Sequence, residues 1–213
     1  MTSPSGGGTR RRRPIAVPLI LMLLAAGLGA TAALGGLSAA PDDPPRRLGP
    51  GATVDQGRFL TTFVAARTVR RPDEDGLRDR RFLEVELEVV NRGDETTQVG
   101  RPGEGGHSFA RGLLAMTPPI PSGDGPDVTV ADGGVPSRQL HPDMAAAVVL
   151  RYEIPEGQPS PETVRYDVGA FERRERSAAA EDFWVLERDG RTQDAPAKVT
   201  AQVTLPVQRG EGT

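Results

Sequence analysis

A chain of 213 residues, 37% hydrophobic but only 4% aromatic, has room for one domain with appendages or two small ones, and its core-forming side chains are sparse. The absence of cysteine excludes disulfides, thiolate metal sites, a cysteine nucleophile and a lipid-modified N-terminal cysteine. Residues 1–40 hold four arginines and no acid, so the formal −3 of the whole becomes −7 over residues 41–213, which argues against nucleic acid as a partner.

Residues 1–13 are Ser/Gly/Thr-rich and end in Arg10–Arg13; they read as a disordered, basic cytoplasmic N-terminus. Pro14–Leu37 follows, 24 residues without a charge, where a helix crossing the hydrocarbon core needs about 20. Arginines before it and Asp42-Asp43 after it place the N-terminus in the cytoplasm. The expectation for 14–37 is a transmembrane signal-anchor helix. A cleavable signal peptide is the alternative, with Ser38-Ala39-Ala40 or Ala30-Thr31-Ala32 as its site. Residues 38–50 read as a Pro-rich linker that lifts the domain off the membrane.

Residues 51–207 read as the extracytoplasmic domain, with 208–213 as a disordered tail. Thr53–Gln56 and Arg58–Val69 are predicted strands around Gly57, with Phe59, Thr61, Phe63, Ala65 and Val69 on one face. Arg70–Asp79 is a charged hairpin loop. The clearest strand is Arg80–Asn91, where Leu83, Val85, Leu87 and Val89 alternate with Glu84 and its neighbours Glu86 and Glu88. Those glutamates are expected on a solvated face, with Arg58, Arg67, Arg151 or Arg165 across from them. The strand ends in the turn cluster Asn91-Arg92-Gly93-Asp94.

Thr97–Pro136 is rich in Gly and Pro and the least regular stretch, with short strands at Leu113–Met116 and Val128–Val130. Ala146–Ile154 alternates with Val148, Leu150, Tyr152 and Ile154 on one face, and Pro155-Glu156-Gly157 stops it. Val164, Tyr166 and Val168 mark the next strand. Glu172–Asp182 reads as a short helix with Glu172 and Arg176 paired at i,i+4. Phe183–Leu186 and Ala197–Val207 are the last strands. About eight strands separated by turn signals make the predicted fold all-β, an antiparallel sandwich preceded by one N-terminal transmembrane helix.

Three features carry a family resemblance: the Gly51…Gly57 opening strand pair, the Phe82–Asn91 strand running into Asn91-Arg92-Gly93-Asp94, and Leu140-His141-Pro142-Asp143 leading through an alternating strand to Ile154-Pro155-Glu156-Gly157. Together, over residues 48–170, they resemble the immunoglobulin-like, telokin-like domains of unknown function tethered outside the membrane of Gram-positive bacteria, actinobacteria especially. The long 97–136 stretch departs from the compact form, and the segment with Trp184 is an extension. The resemblance implies an immunoglobulin-like sandwich with a binding or scaffolding role in the cell envelope, sometimes beside transport machinery, and no catalytic residue.

The candidate chemistry is thin. His107 and His141 are the two histidines, and a shared metal site would need both plus a carboxylate such as Glu104. Asp124, Asp127 and Asp132 put three carboxylates on a glycine-bearing loop, the weak metal candidate of the chain, because calcium takes such oxygen ligands. Ser108 adjoins His107, but neighbours in a strand point opposite ways, and no Gly-x-Ser-x-Gly elbow exists. Phe183 and Trp184 read either as a ligand platform for sugar or peptide or as core. The expectation is therefore a single-pass membrane protein, not an enzyme and without a cofactor, whose outer domain contacts an envelope or membrane protein. A secreted or tethered protein binding calcium or a small ligand is the alternative.

Overall fold

The computed structural model describes residues 43–210, apart from 73–78, 105–106, 122–124, 133–134, 177–179, 191 and 193. The predicted span 14–37 lies outside the described residues, among which no helix is long and apolar enough to cross a membrane.

From Pro44 onward the chain is a β-sandwich. Strands β1 (Arg46–Leu48), β2 (Thr53–Asp55), β3 (Phe59–Pro72), β4 (Asp79–Asn91) and β5 (Thr97–Gln98) come first. A 3-10 turn at Phe109–Gly112 follows, then β6 (Leu113–Thr117), β7 (Asp127–Asp132), β8 (Val135–Ser137) and β9 (Gln139–Leu140). The chain closes with β10 (Ala145–Ile154), β11 (Thr163–Gly169), β12 (Phe171–Arg176), β13 (Ala180–Leu186) and β14 (Val199–Arg209). One sheet runs β6–β11–β14–β1 and the other β3–β4–β10–β7–β8. Strand β14 belongs to both: its body pairs antiparallel with β11, and its end (Val207–Arg209) runs parallel to Ala66–Thr68 of β3. The β12–β13 hairpin and the β5–β9 pair form two small sheets of their own.

The period-two patterns explain where the core lies. Leu83, Val85, Leu87 and Val89 of β4 are fully buried, as are Val148 and Leu150 of β10, which pairs with it residue for residue. Val164, Val168, Val203 and Leu205 face them from the other sheet, and the Phe63 and Tyr166 rings, 5.8 Å apart, meet across the gap. Each such side chain contributes about 1.5–3 kcal/mol through burial. Gln56 is a fully buried polar residue whose amide Nε2 donates to Gly169 O at 2.8 Å and whose Oε1 accepts from Thr61 Oγ1 at 2.6 Å. It ties the start of β3 to the corner between β11 and β12.

Several sequence expectations need correction. The predicted helix over Glu172–Asp182 is instead the β12–β13 hairpin, in which Arg173 stands opposite Trp184 and donates to Asp182 at 2.9 Å. Phe171 and Leu186, both buried, pin its open end to the core, and that tertiary anchor outweighs the local helical pattern. Arg46–Leu48, assigned to the linker, is a strand beside β14, and Gln208 and Arg209, assigned to the tail, extend β14. In β3 the register shifts between Phe63 and Ala65, so Ala66 rather than Ala65 is buried and Val64 is left exposed. The irregular 97–136 stretch contributes Val99, Phe109 and Ala110 to the core, each fully buried.

Glu84 is the largest departure. It sits on the face expected to be solvated, yet it is only 2% exposed, whereas Glu88 is open to solvent. The cause is position: β4 is an inner strand, so arginines from both neighbours close over its carboxylate. Arg151 of β10, Arg71 and Arg67 of β3 donate to it through their Nε atoms at 3.0, 3.1 and 3.2 Å. Of the four arginines expected opposite the glutamates, Arg67 and Arg151 are there, while Arg58 and Arg165 are elsewhere.

Candidate binding site

One end of the sandwich carries a polar cleft of about 580 Å³. Its walls are Arg58, the turn residues Asp94 and Glu95, His107, and Arg173, Asp182, Phe183 and Trp184 of the β12–β13 hairpin. Four separate stretches of chain build it, and each is held by specific bonds.

The floor begins at Gly57, which has φ +77° and donates its N–H to Asp55 Oδ1 at 2.8 Å. A Cβ at this position would stand 2.2 Å from Phe171 O and 3.6 Å from Trp184 Cζ3, so glycine lets the hairpin lie directly on the chain. Arg58 comes next. The residue is 7% exposed, and its guanidinium donates from Nη1 to His107 O at 3.3 Å, while Nε has no hydrogen-bond partner among the described residues. Burial pulls the Arg58 pKa down, and the negative charges of Glu95 and Asp94 act against that shift.

The turn after β4 is locked by Asn91. Its Oδ1 accepts from Gly93 N at 3.0 Å, and its Nδ2 donates to Glu95 O at 2.8 Å and to Leu140 O at 3.1 Å. This fixes Asp94 and Glu95 at the rim. His107 contributes its carbonyl to Arg58 and Thr97, and its Nδ1 lies 2.9 Å from Trp184 O. A carbonyl can only accept, so Nδ1 carries a proton toward it, and in the neutral ring Nε2 is an acceptor. On the hairpin, Arg173 bonds Asp182 and reaches to 4.0 Å from Asp94, bridging the two sides of the cleft. Trp184 is half-buried and packs on the core while lining the cleft.

The other candidates fall apart or lie elsewhere. His141 Nδ1 meets Thr96 Oγ1 at 3.0 Å, and Glu104 Oε2 accepts from Arg101 N at 3.0 Å, so neither shares the bonding of His107. Among the described residues no group of three His, Asp or Glu side chains is placed to hold a metal. Asp127 opens β7 and pairs with Arg138 at 3.5 Å; Asp124 and the side chain of Asp132 lie outside what the structure describes. Ser108 Oγ is buried without a hydrogen-bond partner among the described residues, while the neighbouring His107 ring is engaged by Trp184 O. Arg58, Asp94, Glu95, Arg173 and Asp182 were invisible as a set in the sequence, because they lie up to 124 positions apart and meet only through folding.

A second surface lies at β6. This strand ends its sheet, with β11 as its ladder partner among the described residues. Beside it runs a mostly apolar groove of about 260 Å³ lined by Leu114, Met116, Pro119, Ile120, Pro102 and Pro126.

No protein-family model matches the chain, and no curated protein matches it. Among solved structures, the crystal structure of an uncharacterized β-sandwich protein from Clostridium difficile is similar at 7% sequence identity and a TM-score of 0.40, covering 79% of this chain and 97% of that one.

Proposed function

We propose that the chain is a single-pass membrane protein of the cell envelope. Residues 14–37 anchor it, and the immunoglobulin-like, telokin-like sandwich stands outside the membrane as a binding or scaffolding module, not an enzyme. Its partner is an envelope or membrane protein that supplies an extended segment to the β6 edge. The place of β6 at the end of its sheet, with β11 as its ladder partner among the described residues, beside an apolar groove supports this reading: a strand edge offers a row of backbone donors and acceptors, and the groove supplies side-chain sites for alternate residues of an added strand. Anchoring raises the local concentration of the domain at the membrane and so lets a modest edge contact suffice.

The test uses the full-length chain with a C-terminal tag, crosslinked in intact cells and purified in detergent. In a strand, successive residues direct their backbone N–H to opposite sides, so of Ala115 and Met116 one points at β11 and the other away. Ala115→Pro and Met116→Pro are made singly, and the one that keeps the wild-type melting temperature is the outward one. That variant is expected to lose the partner recovered with the wild-type chain. Full recovery with it sinks the edge contact. A shortened chain found in the medium without a partner sinks the anchored reading.

A further inference from the structure

We propose that the Arg58–Trp184 cleft binds an uncharged saccharide, with a sugar ring lying on the Trp184 face and its hydroxyls bonded to the surrounding arginines and carboxylates. This site is separate from the β6 edge and stands on its own geometry.

Arg58 is the first reason. A guanidinium carries five N–H donors. Among the described residues, His107 O is the acceptor it reaches, at 3.3 Å, although the side chain is more than nine-tenths buried. Its Cζ lies over the Phe59 ring at 5.4 Å, but Nε has no acceptor among the described residues, so the guanidinium, where it lines the cleft, can take a further acceptor. The rim acids act on it through their charge without closing to ion-pair distance.

Charge narrows the ligand class. Two arginines, Arg58 and Arg173, face three acids, Asp94, Glu95 and Asp182. An anion would gain from the first set and lose to the second. An apolar ligand would strip water from five charged groups and return no hydrogen bonds. A neutral polyol does neither, because each hydroxyl donates to a carboxylate and accepts from a guanidinium. In the neutral ring, His107 Nε2 adds one more acceptor. Trp184 supplies what a polyol alone would not need: an apolar wall, suited to the C–H face of a sugar ring. At about 580 Å³ the cleft also falls within the range of roughly 300–1,000 Å³ usual for small-molecule sites.

Trp184 is the one tryptophan of the chain, so its fluorescence reports this cleft alone. The experiment titrates the full-length chain, in a polyoxyethylene detergent whose headgroup carries no sugar, with cellotetraose, tetra-N-acetylchitotetraose and mannotetraose. The zwitterionic peptide Ala-Ala-Ala serves as the competing ligand class. A saturable shift with at least one saccharide is expected. Asp182→Asn and Arg173→Gln should each weaken that saccharide roughly tenfold, about what one hydrogen bond to a charged group is worth, with an unchanged melting temperature. No saturable response to any of the saccharides overturns the proposal. A response to the peptide alone also overturns it, as does a saccharide response that both variants leave unchanged.

Discussion

At the scale of single residues, a buried carboxylate and a buried tyrosine pair make the fold sensitive to pH in opposite directions. Burial alone would push the Glu84 carboxyl up, but hydrogen bonds from Arg151, Arg71 and Arg67 outweigh it and hold its pKa below the ordinary value of 4.5. The folded state therefore releases this proton more readily than the unfolded chain. The resulting stability is complete above about pH 4.5 and is lost as pH falls through the lower folded value. Because the arginines are 30–51% exposed, water screens much of the attraction, and Glu84→Gln should cost about 1–2 kcal/mol at pH 7. Urea unfolding of both proteins at pH 7 and pH 3 should show the gap narrowing at the acid end; a constant gap would mean that the carboxylate charge is not its source. Tyr152 and Tyr166 act at the other limit. They are the two tyrosines of the chain, both buried, with Tyr166 donating to Tyr152 at 3.1 Å. Burial pushes Tyr152 up to about 12 and raises Tyr166 well above its ordinary value, while an unfolded tyrosine titrates at about 10. Here the folded state keeps its protons longer, so stability is full below about pH 10 and declines as pH rises toward about 12. Absorbance at 295 nm should show no tyrosinate at pH 10.5 while the β-sheet circular dichroism persists. Half-titration at that pH in the folded protein would contradict the burial of the pair.

At the scale of elements, what could be read from the sequence depended on whether the deciding contact was local. Strands β4, β10, β11 and β14 announce themselves through strict alternation, since one face of each meets the core and side chains repeat every second residue. The bulge in β3 is silent in the sequence: shifting the register at Phe63/Ala65 changes which later residues turn inward, and no turn residue marks it. The β12–β13 hairpin was hidden for a different reason. Phe-Glu-Arg-Arg-Glu-Arg satisfies helical charge spacing, and only Phe171, docked beside Gln56 and Gly57, and Leu186, set against Gly169, make the extended form better. The same hairpin decides the site. Read as a helix over 172–182 followed by a strand, it would set Arg173 and Asp182 far apart along one axis with Trp184 on a separate element; as a hairpin it brings all three to one wall of the cleft. Glu84 shows the limit on the outer face: alternation tells which side a residue is on, but not whether long arginine stems from both neighbouring strands will cover it.

At the scale of the whole molecule, the two sheets are joined through β14, and β1 completes that join. Arg46, Arg47 and Leu48 run parallel to Ala201, Gln202 and Val203, covering the side of β14 that β11 does not use. Leu48 packs against the core as it does so. The domain therefore begins inside the Pro-rich segment, at Pro44 rather than at Gly51, and any spacer to an anchor is correspondingly shorter. Two shortened chains test this. One beginning at Pro44 retains β1, whereas one beginning at Gly49 loses its three ladder positions and the partial burial of Leu48, together worth about 2 kcal/mol. For a domain of this size that difference corresponds to a melting temperature lower by about 4–8 °C. The shorter chain also bares the outer edge of β14, which spans the join of both sheets, so it should self-associate with rising concentration in sedimentation while the longer one does not. Equal melting temperatures and equal sedimentation would show that β1 is an ornament on a sandwich that closes without it. The observed register argues otherwise, because without β1 the strand shared by both sheets would present an unpaired edge along Ala201–Val203.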